Sequence, residues 1–75
     1  MKLHERIYRW RKHAGLTMAA LADACDVSSA AVAQWEEPDG TTPTSDNLEK
    51  IAKACKRTMS EFWGETPALP RKAAS

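Results

Sequence analysis

At 75 residues the chain has room for a single domain, and a chain of that size buries roughly 60% of the surface its unfolded form exposes, which leaves little scope for a deep catalytic cavity. Eleven Lys/Arg stand against ten Asp/Glu for a formal charge of +1, so a uniformly basic nucleic-acid binder is excluded. No apolar run is long enough to span a bilayer, and no apolar h-region follows the charges of Met1 to Arg6, so the N-terminus does not read as a signal peptide and a cytoplasmic, nucleoid-associated location is expected.

The small net charge hides an uneven distribution. Residues 1–13 carry five bases and one acid, residues 14–49 carry seven acids and no Lys or Arg, and residues 50–75 carry six bases and two acids. The chain thus has basic ends and an acidic middle, a pattern still compatible with nucleic acid if the ends approach phosphates. Cys25 and Cys55 are far apart in sequence and lack a matching histidine pair. Neither a disulfide nor a zinc site is expected, and both read as small buried side chains on helices.

In chain order, Lys2 to His13 is predicted to be helical, with Leu3, Ile7, Trp10 and Ala14 on its inner face by their three- and four-residue spacing. Gly15 stops it, free to take positive φ. Thr17 is a candidate N-cap for a second helix from Met18 to Ala24 or Cys25, with Leu21, Ala22 and Cys25 inward. The chain must then turn sharply at Asp26, a residue that tolerates the left-handed region better than most. Ser28 caps a third helix, Ser29 to about Glu36, whose Val32 and Trp35 point inward, and Val27 with Val32 fits a hydrophobic staple.

Glu37-Pro38-Asp39-Gly40 ends that helix and opens a loop that runs to Pro43. Thr44 or Ser45 caps a fourth helix over about 45–56, burying Leu48, Ile51, Ala52 and Cys55. Thr58-Met59-Ser60-Glu61 fits a capping box for a short fifth helix closed by Phe62 and Trp63 and stopped by Gly64. Residues 65–75, with Pro67 and Pro70 among small and charged residues, read as a flexible tail after a domain spanning 1–64.

The informative segment is Thr17 to Glu36, two helices joined by a short turn that forces a large crossing angle. The outer face of the second of these, Ser29, Ala30, Ala33 and Gln34, carries no charge, which is unusual for an exposed helix. Alanines are good helix formers on any surface. Small side chains also let a helix approach base edges, where alanine methyls meet thymine methyls and glutamine bonds adenine N6 and N7. His4 and His13 read as ordinary surface residues, and Trp10 and Trp35 as core. Trp63 either completes the core or forms a dimer seam with Met59 and Phe62.

The ordered set Gly15-Leu16-Thr17, Leu21-Ala22, Val27-Ser28, Val32-Ala33-Gln34-Trp35-Glu36, then Pro43, Leu48 and Ile51-Ala52 resembles the Cro/C1 group of lambdoid phage repressors over about residues 3–64. The resemblance implies an all-α fold, a compact five-helix lambda-repressor-like domain containing a helix-turn-helix, acting as a homodimer on double-stranded operator DNA. It implies that Ser29, Ala30, Ala33 and Gln34 face the bases, and that Thr17, Met18 and Ser28 approach phosphates. It also implies that Arg11 pairs with Glu36, a bidentate contact that would lock the recognition helix to the scaffold.

Three departures from the family pattern stand out: Met18 where the family usually has glutamine, Asp26 where it often has glycine, and the acidic loop from Glu37 to Thr42 where it is often basic. Backbone N–H groups at the start of the second helix can still meet a phosphate, and Thr41 and Thr42 are the loop's donors. Arg9, Lys12 and His13 are the cationic candidates on the first helix. Few phosphates can be neutralised per chain, so modest monomer affinity and a shallow salt dependence follow. A·T pairs are expected opposite Ala30 and Gln34.

No Gly-rich phosphate loop and no nucleophile–base pairing is recognisable, so no enzyme activity, cofactor, metal, membrane or small-molecule substrate is expected. The competing reading keeps the scaffold for another purpose, a protein-interaction module such as an antitoxin or adaptor with weak DNA binding. The Met18 and loop departures favour it, and the uncharged helix face favours DNA.

Overall fold

Helix termini organise this molecule. The computed structural model describes residues 2–64, and among them the elements are α1 (Leu3–His13), α2 (Met18–Cys25), α3 (Ser29–Trp35), α4 (Ser45–Ala54) and α5 (Met59–Trp63). Four of the five are entered through a hydroxyl residue in extended conformation whose side chain accepts from an amide three residues on: Thr17 from Ala20 at 3.0 Å, Ser28 from Ala31 at 3.2 Å, Thr44 from Asn47 at 3.2 Å, Thr58 from Glu61 at 3.1 Å. Each satisfies a backbone donor that the helix itself leaves orphaned. At α5 the Glu61 carboxylate also accepts from the Thr58 N–H at 2.9 Å, which completes the expected capping box.

Helix exits repeat one device. Gly15, Asp26 and Lys56 all take positive φ, at 75°, 57° and 59°. Each is followed by an amide that reaches back five residues, Leu16 to Arg11, Val27 to Ala22 and Arg57 to Ala52. This is the Schellman arrangement, which uses up carbonyls the helix end would otherwise strand. Gly15 and Asp26 match the sequence expectation. Lys56 corrects it, because α4 stops at Ala54 rather than running to residue 56.

The core gathers Ile7 and Trp10 of α1, Leu21 and Cys25 of α2, Val32 and Trp35 of α3, Ile51 and Cys55 of the α4 region, and Phe62. Both cysteines are free and buried, as expected. Three inward assignments need adjustment. Ala14 is exposed, because the turn at Gly15 rotates the chain off the inner face of α1. Leu3 and Leu48 are half-buried and pack at the margin of the core rather than inside it. The expected flexible tail, residues 65–75, lies outside the described residues.

The first and last helices are clasped at one atom. The carbonyl oxygen of Phe62 accepts from the Trp10 indole N–H at 3.0 Å and from Arg6 Nη1 at 2.8 Å. The Trp10 and Phe62 rings stack at 6.4 Å between centroids. The clasp gives the buried indole its hydrogen bond and closes the core from below.

Candidate nucleic-acid interface

The turn Cys25 to Ser28 sets α2 against α3, and the left-handed Asp26 makes that turn short. Val32 and Trp35 are buried, and their direction fixes which side of α3 faces solvent. On that side Ser29, Ala30 and Gln34 are exposed and Ala33 is half-buried. The four residues share one face, as their spacing predicts.

That face is held rigidly from behind. Arg11 donates from Nε and Nη2 to the two Glu36 carboxylate oxygens, at 2.6 and 2.9 Å, and both side chains are almost fully buried. The remaining guanidinium nitrogen, Nη1, donates to the Leu16 carbonyl at 2.8 Å, and the plane lies 5.4 Å from the Tyr8 ring centroid. One side chain thus ties the exit of α3 to the residue before the α2 cap. The expected ion pair is present; the Leu16 contact had no sequence signal. A bidentate fork of this kind fixes orientation as well as distance.

Beyond Glu36 the loop is fastened by Gly40. A Cβ built there would stand 1.9 Å from the Gln34 carbonyl oxygen, so the close approach of the loop to α3 requires glycine. The loop therefore stays beside the end of α3, with Thr41 and Thr42 exposed. Thr17 and Ser28 are also exposed. Their oxygens accept the capping hydrogen bonds, which leaves each O–H free to donate outward.

The remaining candidates divide. Lys12 is exposed at the end of α1, and Met18 is half-buried and packs against the margin of the core. Arg9 donates from Nε and Nη2 to Glu5, at 3.0 and 2.7 Å, so its charge is already partly compensated. The proposed dimer seam of Met59, Phe62 and Trp63 is corrected at its centre: Phe62 is wholly buried, because its ring fills the core between α1 and α5 and no face is left for a partner. Met59 is half-buried and Trp63 exposed, with the Arg6 guanidinium 5.4 Å from the Trp63 ring centroid.

Among the described residues no group of three or more His, Cys, Asp or Glu is placed to hold a metal ion, and no helix is long and apolar enough to cross a membrane. What remains is an exposed, uncharged, short helix on a rigid mount. A helix-turn-helix family model matches residues 7–62. The chain belongs to the Cro/C1-type helix-turn-helix family.

Among relatives, the transcriptional repressor RstR of the cryptic phage CTXphi of Vibrio cholerae serotype O1 (strain ATCC 39315 / El Tor Inaba N16961) is 36% identical over 64 residues, 85% of this chain. The chain spans 56% of that relative's length. Among solved structures, the solution structure of the DNA-binding domain of the P22 c2 repressor superposes with a TM-score of 0.78 at 31% identity, covering 89% of this chain and 88% of that one. The crystal structure of the P22 c2 repressor with a synthetic operator superposes at 0.71, again with 31% identity, over 85% of this chain and 96% of that one. The five-helix, all-α architecture is therefore that of the lambdoid repressor DNA-binding domains.

Proposed function

We propose that the chain is a sequence-specific DNA-binding transcription regulator of the phage-repressor kind, which lays α3 in the major groove of operator DNA. The observation that carries this reading is the uncharged face of Ser29, Ala30, Ala33 and Gln34, mounted on a helix whose end is clamped by Arg11 through Glu36. Gln34 reads adenine through N6 and N7, and the alanine methyls lie against thymine methyls. The hydroxyls of Thr17, Ser28, Thr41 and Thr42, the backbone N–H groups around Met18 and the ammonium of Lys12 position the chain on phosphates, with Arg9 a weaker contributor because Glu5 holds it. Two chains bind as a homodimer on half-sites one helical turn apart, about 34–36 Å. The relative's repressor role and the operator in the P22 c2 complex support this reading.

Selection of bound sites from a random duplex pool tests it directly, with enrichment of a two-fold-related motif expected. Gln34→Ala should then cost ~1–3 kcal/mol at one base position and relax specificity there, measured by fluorescence anisotropy on the selected site. An unchanged affinity and an unchanged motif would refute the assignment of α3 as the reading helix.

A protein-binding adaptor on the same scaffold is favoured by one observation, the absence of any Lys or Arg from residue 14 to 49 beside seven acids. Gel shifts across a salt series separate the two, since an adaptor forms no sequence-selective complex at any salt.

A further inference from the structure

The outer side of α4 carries an ordered stripe of charge that the DNA reading does not use. Asp46, Glu49, Lys50 and Lys53 follow one another at helical spacing and, with Met59 of α5, line an open groove of about 450 Å³ floored by the buried Ala52. The acids occupy the N-terminal half and the lysines the C-terminal half, over roughly 10 Å of helix. Asp46–Lys50 and Glu49–Lys53 each stand at i,i+4 with the acid first, the order that favours pairing along a helix. Neither closes. Among the described residues the ion pairs are Arg9–Glu5 and Arg11–Glu36. The nearby Arg57 is occupied over the Trp10 ring, 5.5 Å from its centroid.

A stripe that is acidic at one end and basic at the other complements itself when turned end for end. We propose that this groove seats a second copy of the chain, with the two α4 helices antiparallel about a two-fold axis. Asp46 and Glu49 of one chain then meet Lys53 and Lys50 of the other, and the axis repeats both contacts, as an isologous interface requires. Met59, half-buried at the groove margin, adds apolar surface. Trp63 is a poorer seat, because Arg6 covers its ring and Phe62 packs edge-on against it. The inference deepens the pairing in the proposed function and uses none of its base contacts.

Sedimentation velocity of the full chain without DNA tests it. Wild type is expected to self-associate at low salt and to weaken as salt rises. Lys50→Glu with Lys53→Glu gives an all-acidic stripe, and Asp46→Lys with Glu49→Lys an all-basic one. Each double variant alone should associate at least about tenfold more weakly, because like charges now face one another. An equimolar mixture of the two should recover association, which a merely unfolded variant cannot do; circular dichroism checks both folds. Wild type that stays monomeric at millimolar concentration in low salt overturns the proposal, and so does a mixture that fails to associate. If contacts on the stripe prove independent of concentration and vanish when residues 65–75 are deleted, the chain's own terminus is the occupant and the proposal falls. Gln34→Ala should leave sedimentation unchanged, so failure of the base-reading assignment and failure of this interface give different results.

Discussion

Arg11 and Glu36 show how much one contact can decide. Both are nearly buried, and Arg11 spends three nitrogens on Glu36 and the Leu16 carbonyl. Removing one member of a buried pair strands the other, at a cost of about 3–5 kcal/mol. Glu36→Gln is therefore expected to lower stability toward urea by about 3 kcal/mol and to weaken DNA binding beyond that loss, because α3 is no longer clamped. Replacing both residues by apolar ones, Arg11→Met with Glu36→Leu, should cost less than the sum of the single changes. Additive losses in a double-mutant cycle would mean the two side chains act independently. The pair was legible because a guanidinium on α1 and a carboxylate ending α3 recur at family spacing. The Leu16 carbonyl was not, since a backbone acceptor carries no residue signature.

Cys55 gives a pH dependence. Burial, reinforced by the neighbouring Cys25, pushes its thiol up from 9.0 to about 11, while Arg57 and Arg11 pull weakly the other way. The folded state thus holds the proton more tightly than the unfolded chain does. The stabilisation is complete below pH 9.0 and is lost as pH climbs toward about 11, with a slope of at most about 1.4 kcal/mol per pH unit. Thermal melts between neutral and alkaline pH should show this decline, and Cys55→Ala should flatten it. An equal decline in the variant would assign the effect to other groups.

At the scale of helices, the termini explain what the sequence disclosed and what it withheld. Thr17, Ser28 and Thr58 were readable as caps because a hydroxyl before an amphipathic run has a mechanism, and the capping box at Thr58 and Glu61 was readable for the same reason. Gly15 and Asp26 announced their left-handed turns through residue type. Lys56 did not, because lysine has no local preference for φ near 59° and adopts it here only because the Schellman bonds to Ala52 and Lys53 require it. The misplaced end of α4 and the outward Ala14 are one error, since periodicity cannot show where a turn interrupts it. Lys56→Gly should accordingly raise stability by about 1 kcal/mol, relief of the left-handed strain outweighing the added freedom of the unfolded chain. A loss of stability in equilibrium denaturation would show that the lysine side chain contributes more than its backbone costs.

For the molecule as a whole, charge placement governs how it can meet DNA. Residues 14–49 supply seven acids and no Lys or Arg, and Arg9 is held by Glu5. On the proposed reading, hydroxyls and backbone amides do much of the work that lysines do elsewhere. Each phosphate neutralised contributes about −0.9 to the slope of log K against log salt, so a slope no steeper than about −3 per chain is expected on the selected operator. A much steeper value would mean that cations outside this face engage the backbone. The fold and the uncharged outer face of α3 were legible, because core spacing and an uncharged surface leave marks in the sequence. The clasp at the Phe62 carbonyl was not, because it joins groups more than fifty residues apart through a backbone atom.

That clasp also bears on the order of events during synthesis. A polypeptide emerges from the ribosome N-terminus first. The Trp10 indole must therefore wait for residue 62 before it has its acceptor, and a buried donor without one costs about 1–3 kcal/mol. A nascent chain that has produced only its first four helices already has the Arg11–Glu36 clamp on α3 but lacks the Phe62 ring that fills its core. Completion of the core thus waits until the short fifth helix has been made.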